Sequence, residues 1–271
     1  MEHDNFLENK GAVITGGASG FGKGVAQAFA EKGADLVLVD NNEELLYDTA
    51  KKIADKTGQK VIPITTDVAN SAEVQEMAKN TFNELDNVYI LFNNAGISLG
   101  YRKDFIKVDE ELYDLTMNIN LKGSWLVAKE LGKKMKSQKF KPLSGKIINV
   151  SSIFGLFPNE RTFPYSLSKA GVIAMTKMMA KTLAPKITVN CISPGFHQTG
   201  IYKDDYDTMM SVYRDGKVIT PLNRVGTVED VSDLMLFLAS PASNFITGHN
   251  FPIDGGIAEV GVHSYYIKDN L

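Results

Sequence analysis

The chain has 271 residues, 44% hydrophobic and 23% charged, with a formal net charge of −3. This is the composition of a folded domain long enough to bury one large core; the balanced charge excludes a basic field for nucleic acid or an anionic membrane. No apolar run approaches the roughly 18 residues of a membrane span. Cys191 is the single cysteine, so no disulfide closes within the chain and a reducing, cytoplasmic setting is expected. His3, His197, His249 and His263 are scattered without ligand spacing, so no metal is expected. The N-terminal Met-Glu-His-Asp-Asn-Phe-Leu-Glu segment is acidic and lacks the pattern of a signal peptide.

In chain order, Gly11 to Thr15 is a short apolar run that reads as a buried strand and breaks into Gly16-Gly-Ala-Ser19-Gly20-Phe21-Gly22-Lys-Gly24. A helical pattern from Val25 follows and ends at Gly33. Strand, glycine turn and helix is the setting in which backbone N–H groups and a helix N-terminus receive a pyrophosphate, although a glycine-rich turn without a ligand has the same appearance. The next strand, Asp35 to Asp40, ends in a carboxylate eighteen residues after Gly22, close to the ~20-residue offset of an acid that binds an adenosine ribose. Asn41 follows it and Ser19 precedes Gly20, so no cation is placed to offset a 2′-phosphate; NAD is favoured over NADP. The other reading is that Asp40 merely ends the strand or caps the helix that starts near Glu43 and stops at Gly58; ribose binding is favoured.

Lys60 to Asp67 is a third strand, pushed to a sheet edge by Pro63, which has no N–H to give to a ladder. Asp67-Val68 ends it, where an adenine would lie, and Ser71 is a candidate cap for the helix beyond. Val88 to Phe92 is a fourth strand breaking into Asn93-Asn94-Ala95-Gly96, where Asn side chains pin a strand end or stabilise a turn and Gly96 lets backbone pass close to a ligand. Asp109 to Lys136 holds one or two helices, with Asn120, a poor helix former, inside. Ser144 to Val150 is a fifth strand leading to Ser151 and Ser152; Phe163 to Leu183 is a long helix on which Tyr165 and Lys169, four apart, share a face. Its small and apolar residues suit packing on more than one side, including a subunit contact. Ile187 to Ile192 is a sixth strand, followed by Pro194-Gly195 and Thr199. Periodicity fails from about 200 to 220, which reads as a mobile substrate flap or an ordinary surface insertion. A helix over Val228 to Leu238, a last strand at Asn250 to Asp254 and an apolar, aromatic tail over 257–271 complete a single domain; the tail is expected to be covered by a partner subunit.

Taken together, Thr15-Gly-Gly-Ala-Ser-Gly-Phe-Gly22, Asp67-Val68, Asn93-Asn-Ala-Gly96, Asn120, Ser152, Tyr165-Ser-Leu-Ser-Lys169 and Pro194-Gly195 with Thr199 resemble the short-chain dehydrogenase/reductase family over nearly the whole chain. Phe21 stands where isoleucine is common in that family. The resemblance implies an α/β fold: a doubly wound, Rossmann-like parallel sheet of about seven strands with helices on both faces. It also implies an NAD(H)-dependent oxidoreductase that interconverts a secondary alcohol and a ketone, assembled as a homo-oligomer, tetramer or dimer. Tyr165 would be the acid/base, Lys169 would lower its pKa and hold the nicotinamide ribose, Ser152 would orient the substrate oxygen and Asn120 would hold a water that reloads protons. Gly16, Ser19, Gly20, Phe21, Gly22, Asp40, Asp67, Val68, Asn93, Asn94, Ala95, Gly96, Tyr165, Lys169, Pro194, Gly195 and Thr199 would bind the cofactor, with Asn93 nearest the adenosine ribose and Thr199 on the carboxamide.

The pocket is expected to draw on Ile97 to Tyr101, Phe154 to Phe163, Phe196 to His197 and the Tyr202 to Tyr213 flap. Its Phe, Leu, Met and Tyr content favours a bulky apolar substrate such as a hydroxysteroid or bile acid, unless these side chains are core or subunit contacts. Sugar-alcohol or acyloin dehydrogenases are alternatives in the same class; 3-ketoacyl reductase is a second enzyme reading, whose usual NADPH is disfavoured by Asp40 and whose acidic carrier calls for a basic patch. A non-catalytic dinucleotide sensor would be expected to have lost Tyr165 or Lys169, and both are present.

Overall fold

The computed structural model of the chain describes residues 5–99, 104–198 and 206–262, without the side chains of 206–209 and 211–213. Seven strands alternate with helices: β1 (Gly11–Thr15), β2 (Asp35–Asp40), β3 (Val61–Thr65), β4 (Ile90–Asn93), β5 (Gly145–Val150), β6 (Ile187–Pro194) and β7 (Asn250–Ile253). They form one sheet in the order β3-β2-β1-β4-β5-β6-β7, with every pair parallel. The chain switches direction of winding between β1 and β4, which opens a crevice at the C-terminal ends of the strands. Both edge strands carry a proline at their third position, Pro63 in β3 and Pro252 in β7; the expected edge place of Pro63 is the observed one.

The inner strands are buried on both faces, as parallel strands require, while the edge strands β3 and β7 are only partly covered. Alternate side chains serve opposite layers. Ala12, Ile14, Leu36, Leu38, Ile90 and Phe92 meet Val25, Phe29, Leu46, Ile53 and Met235 from α1 (Gly20–Glu31), α2 (Glu43–Thr57) and α9 (Val228–Ala239). Val13, Val37, Val39, Leu91 and Ile147 meet Val74, Met77, Leu126, Leu131 and Ala180 from α3 (Ser71–Glu84), α5 (Ser124–Met135) and α7 (Phe163–Leu183). Phe29 and Phe92 are fully buried, and each contributes roughly 1.5–3 kcal/mol relative to exposure.

Helix starts follow local chemistry. Asn42 caps α2 by accepting the Leu45 N–H, and Gly58 closes it at φ 74°. Asn70, rather than the expected Ser71, caps α3: its side chain accepts from both Ala72 and Glu73, while Ser71 is the first helical residue. Thr227 and Asp230 form a reciprocal capping box on α9. Between α4 (Glu110–Met117) and α5 the helix continues as a π-helical segment, Asn118–Gly123, so Asn120 does sit in a distorted ladder.

Three short or late helices complete the layers: α6 (Ile153–Leu156), α8 (Tyr206–Ile219) and α10 (Ile257–Val260). The segment expected to be an aperiodic flap is thus a regular helix from Tyr206 to Ile219; Thr199, Tyr202 and the rest of 199–205 lie outside the described residues, as do Tyr101 and 263–271 of the tail. Among the described residues no helix is long and apolar enough to cross a membrane, and no group of three His, Cys, Asp or Glu side chains could hold a metal ion.

Candidate active site

The crevice begins at the end of β1. Thr15 Oγ1 accepts the N–H groups of Asn94 and Ala95, both at 2.9 Å, while Asn94 Nδ2 donates back to the carbonyls of Thr15 (3.0 Å) and Gly16 (3.3 Å). This lattice binds the crests of β1 and β4 together. Gly16 has φ +66°, and a Cβ there would lie 2.7 Å from Asn94 Nδ2, so no side chain is tolerated. Ser19 precedes α1 but makes no side-chain cap, and the first turn through Gly20, Phe21 and Gly22 carries no acidic residue. Asn42, Asn70, Asp109 and Thr227 do cap α2, α3, α4 and α9. The N-terminus of α1 thus keeps its donors and its positive dipole end, which fits a pyrophosphate.

Asp40 Oδ2 accepts the Ala18 N–H at 3.1 Å and Oδ1 accepts the Asn42 N–H at 3.0 Å. Because Asn42 is the cap of α2, Asp40 is not needed there. Its carboxylate borders a cavity of about 470 Å³ with Gly16, Asn41, Asp67, Val68, Ala95 and Gly96.

A second cleft, about 700 Å³, lies beyond Gly96, which borders both. It collects Phe21, Asn94, Ser152, Tyr165, Lys169, Pro194 and Gly195 from five different strand ends and helices, together with Phe154, Phe196 and His197. Tyr165 and Lys169 lie one helical turn apart on α7, with the Lys169 Nζ 5.6 Å from the Tyr165 ring centroid. Lys169 is buried and donates to the Val150 carbonyl at 2.9 Å. Ser151 Oγ donates to the Lys169 carbonyl at 2.8 Å, fastening the end of β5 to α7. Ser152 Oγ accepts the Phe154 N–H at 3.2 Å, and its hydroxyl acts on the titration of the Tyr165 phenol in the same cleft. Burial lowers the Lys169 ammonium to about 8. Burial raises the Tyr165 phenol, and the Ser152 hydroxyl opposes that rise.

Asn120 is buried behind the pair. Its Oδ1 accepts the Ile97 N–H at 2.8 Å, and its Nδ2 donates to the Ile97 carbonyl (2.9 Å) and Ser168 Oγ (3.1 Å). Asn120 therefore pins the Gly96–Ile97 peptide beside Lys169. Asn93 is placed differently from the expectation. Strand alternation turns its side chain away from the crevice, toward α5, where Nδ2 donates to the Ser124 carbonyl (2.7 Å) and Asn149 Oδ1 (3.2 Å). Thr15 and Ser168 were not among the sequence candidates; a polar residue ending an apolar strand is the signal for the first, and Ser168 has none. His197 is 5% exposed, packs edge to face with Phe21 and lines the cleft. Of the aromatic wall, Phe154 and Phe196 line the cleft, whereas Phe157 is 53% exposed and Phe163 packs on Phe105.

Residues 16–258 match a family model described as enoyl-(acyl carrier protein) reductase. The chain is 36% identical to the 3-oxoacyl-[acyl-carrier-protein] reductase FabG of Chlamydia muridarum, over 94% of this chain and all of that protein. It is 34% identical to the NAD-dependent glycerol dehydrogenase of Listeria innocua, over 94% of this chain and 96% of that one. The crystal structure of 3-ketoacyl-(acyl-carrier-protein) reductase from Brucella melitensis complexed with NADH superposes with a TM-score of 0.82 at 30% identity, covering 93% of this chain and 99% of that one. With this sheet order and this crevice, the chain belongs to the short-chain dehydrogenase/reductase family of oxidoreductases.

Proposed function

We propose that the protein is an NAD(H)-dependent oxidoreductase acting on the 3-oxo or 3-hydroxy group of an acyl thioester. One observation carries the chemistry: a phenol, an ammonium and a hydroxyl converge in one cleft that joins a carboxylate-marked second cavity at Gly96. NAD(H) held across both supplies or accepts the hydride. Tyr165 gives its phenolic proton to the nascent alkoxide, or takes one from the alcohol, and Ser152 orients that oxygen beside it. Lys169, positive below about pH 8, stabilises the phenolate electrostatically. Asn120, through its grip on Ile97, holds Gly96 in place and is assigned the outer end of the proton path.

NAD(H) is favoured over NADP(H) because Asp40, freed from capping by Asn42, presents a fixed negative charge where a 2′-phosphate would sit. Gly16, Ser19, Gly20, Phe21 and Gly22 are assigned to the pyrophosphate, Asp67, Val68 and Ala95 to the adenosine half, and Asn94, Pro194 and Gly195 to the nicotinamide half. Asn93 is left in a supporting role, and Thr199 remains a candidate for the carboxamide. The hydroxysteroid or bile-acid preference is set aside: the relatives above are a 3-oxoacyl-[acyl-carrier-protein] reductase and a glycerol dehydrogenase, and only part of the aromatic wall on which it rested reaches the cleft. A small polyol is the second reading, favoured by Asp40 together with the NAD-dependent glycerol dehydrogenase relative.

Trp125 on α5 (46% exposed) and Met178 on α7 (64% exposed) support homo-oligomer assembly through these helices. The deciding experiment measures initial rates with acetoacetyl-CoA and NADH, acetoacetyl-CoA and NADPH, and glycerol and NAD⁺. Turnover of acetoacetyl-CoA with NADH at least tenfold above NADPH is expected. Faster NADPH turnover would overturn the cofactor assignment, and oxidation of glycerol without reduction of acetoacetyl-CoA would overturn the substrate assignment.

A further inference from the structure

His197 occupies a position that the proton chemistry of Tyr165 and Lys169 does not use. Its ring is wedged between Phe21, at a centroid distance of 5.3 Å and an interplanar angle of 84°, and Gly226, where any Cβ would collide with the imidazole. The segment is clamped on both sides: the Gly226 N–H donates to the Phe196 carbonyl at 2.8 Å and the Gln198 N–H to the Gly226 carbonyl at 2.9 Å. Nδ1 lies 3.2 Å from the Gly195 carbonyl, so in the neutral ring Nδ1–H donates there and Nε2 keeps its lone pair. The imidazole borders two cavities. One is the cleft with Tyr165 and Lys169; the other, about 570 Å³, lies behind it between Arg224, Asp230 and Asp254.

We propose that His197 is a proton-sensitive positioning residue that sets which form of the dinucleotide, oxidised or reduced, the cleft prefers. This rests on the NAD(H) reading above. The two cofactor forms share every group except the nicotinamide ring, which carries one more positive charge when oxidised. A charge at His197 is therefore felt unequally by the two forms, while Asp40 and the pyrophosphate turn are felt equally. Neutral His197 leaves the oxidised ring unopposed; imidazolium repels it. The groups facing the ring are Asp230 on α9 and Asp254 after β7, which favour the imidazolium, and Arg224, which disfavours it, with Lys169 and Tyr165 across the cleft. Burial outweighs the carboxylates and holds the His197 pKa below its usual 6.5, so the neutral form prevails at neutral pH. The bias against the oxidised form appears as pH falls below that value. Lys169, at about 8, stays protonated across the window and adds a constant background.

The test is the ratio of dissociation constants, Kd(NAD⁺)/Kd(NADH), measured by titration calorimetry at pH 7 and pH 5 without substrate. A like charge coupled by about one pKa unit changes affinity about tenfold. The wild-type ratio is expected to rise on acidification, approaching tenfold as the ring takes up its charge, and to rise less than twofold in His197→Asn, whose amide keeps the bond to Gly195 but does not titrate. His197→Val serves as a second neutral variant, and a thermal melt at each pH establishes that every protein compared is folded. A flat wild-type ratio, or an equal rise in wild type and folded variants, overturns the proposal. Binding of NADPH in place of NADH would instead overturn the NAD(H) reading; the same ratio measured with NADP⁺ and NADPH then decides the role of His197.

Discussion

Replacing Gly96 by alanine puts a methyl group where the two cavities meet. The new Cβ would lie 3.1 Å from Asn120 Oδ1 and 3.3 Å from Lys169 Nζ, both closer than ordinary van der Waals contact. Neither neighbour yields freely. Asn120 is held by three hydrogen bonds to Ile97 and Ser168. Lys169 Nζ is bonded to the Val150 carbonyl at 2.9 Å, and retreat along that direction moves it relative to Tyr165. Overpacking of this kind costs about 1–3 kcal/mol. Expressed at the transition state, that is a loss on the order of 5- to 150-fold in kcat/KM. Initial rates of NADH oxidation with acetoacetyl-CoA measure it, alongside the melting temperature. Gly132→Ala is the comparison: Gly132 lies in α5 with nothing within 4 Å of its added Cβ, so this change should stabilise by about 0.5–1 kcal/mol and leave the rate unaltered. A Gly96→Ala enzyme within twofold of wild type would refute the reasoning, because it would mean that the Asn120–Lys169 spacing is not under constraint.

Four further outcomes are expected. Tyr165→Phe removes the proton donor and should cost on the order of 10²- to 10⁴-fold in turnover, with NADH still bound as read by its fluorescence; near-wild-type turnover would sink the acid/base assignment. Asp40→Ala should weaken NADH and narrow the gap to NADPH, seen in paired KM values; an unchanged gap would place the specificity elsewhere. Phe29→Ala empties a fully buried site under β1 and β2 and should cost about 3–5 kcal/mol in urea unfolding. Lys146 is buried in β5, donates to the Ser240 carbonyl and Ser243 Oγ, both at 2.7 Å, and burial lowers it to about 8. Between pH 8 and the ordinary lysine value the unfolded chain holds a proton that folded Lys146 has released, so the burial penalty fades as pH rises. The stability of wild type relative to Lys146→Met should therefore increase over that range, and a constant difference would count against the shift.

Much of the fold was legible because it rests on local rules. Phe163–Leu183 is the helix its spacing predicts, and Pro63 marks an edge strand because the missing N–H leaves no other place. Tyr165, Lys169 and Ser152 were legible as types at fixed offsets, and the strand ends do bring them together. What the chain order conceals is long-range. The burial of His197 depends on Gly226, twenty-nine positions away, lacking a side chain. The partners of Asn120 lie on the peptide of Ile97 and on α7, and no spacing announces them. Asn93, by contrast, obeys a local rule. On β4 its parity matches Leu91, whose side chain belongs to the layer of α3, α5 and α7, so its turn away from the crevice follows from alternation alone.

The two edge prolines have a meaning for the molecule in a crowd. An open parallel sheet ends in two rows of backbone groups, and any extended peptide can extend such a row into a fibre. Here Pro63 and Pro252 interrupt the outer strand on each side, midway along β3 and β7. An incoming strand finds its hydrogen-bond run broken at either end of the sheet. The interrupted edges thus guard against runaway edge-to-edge growth of the sheet.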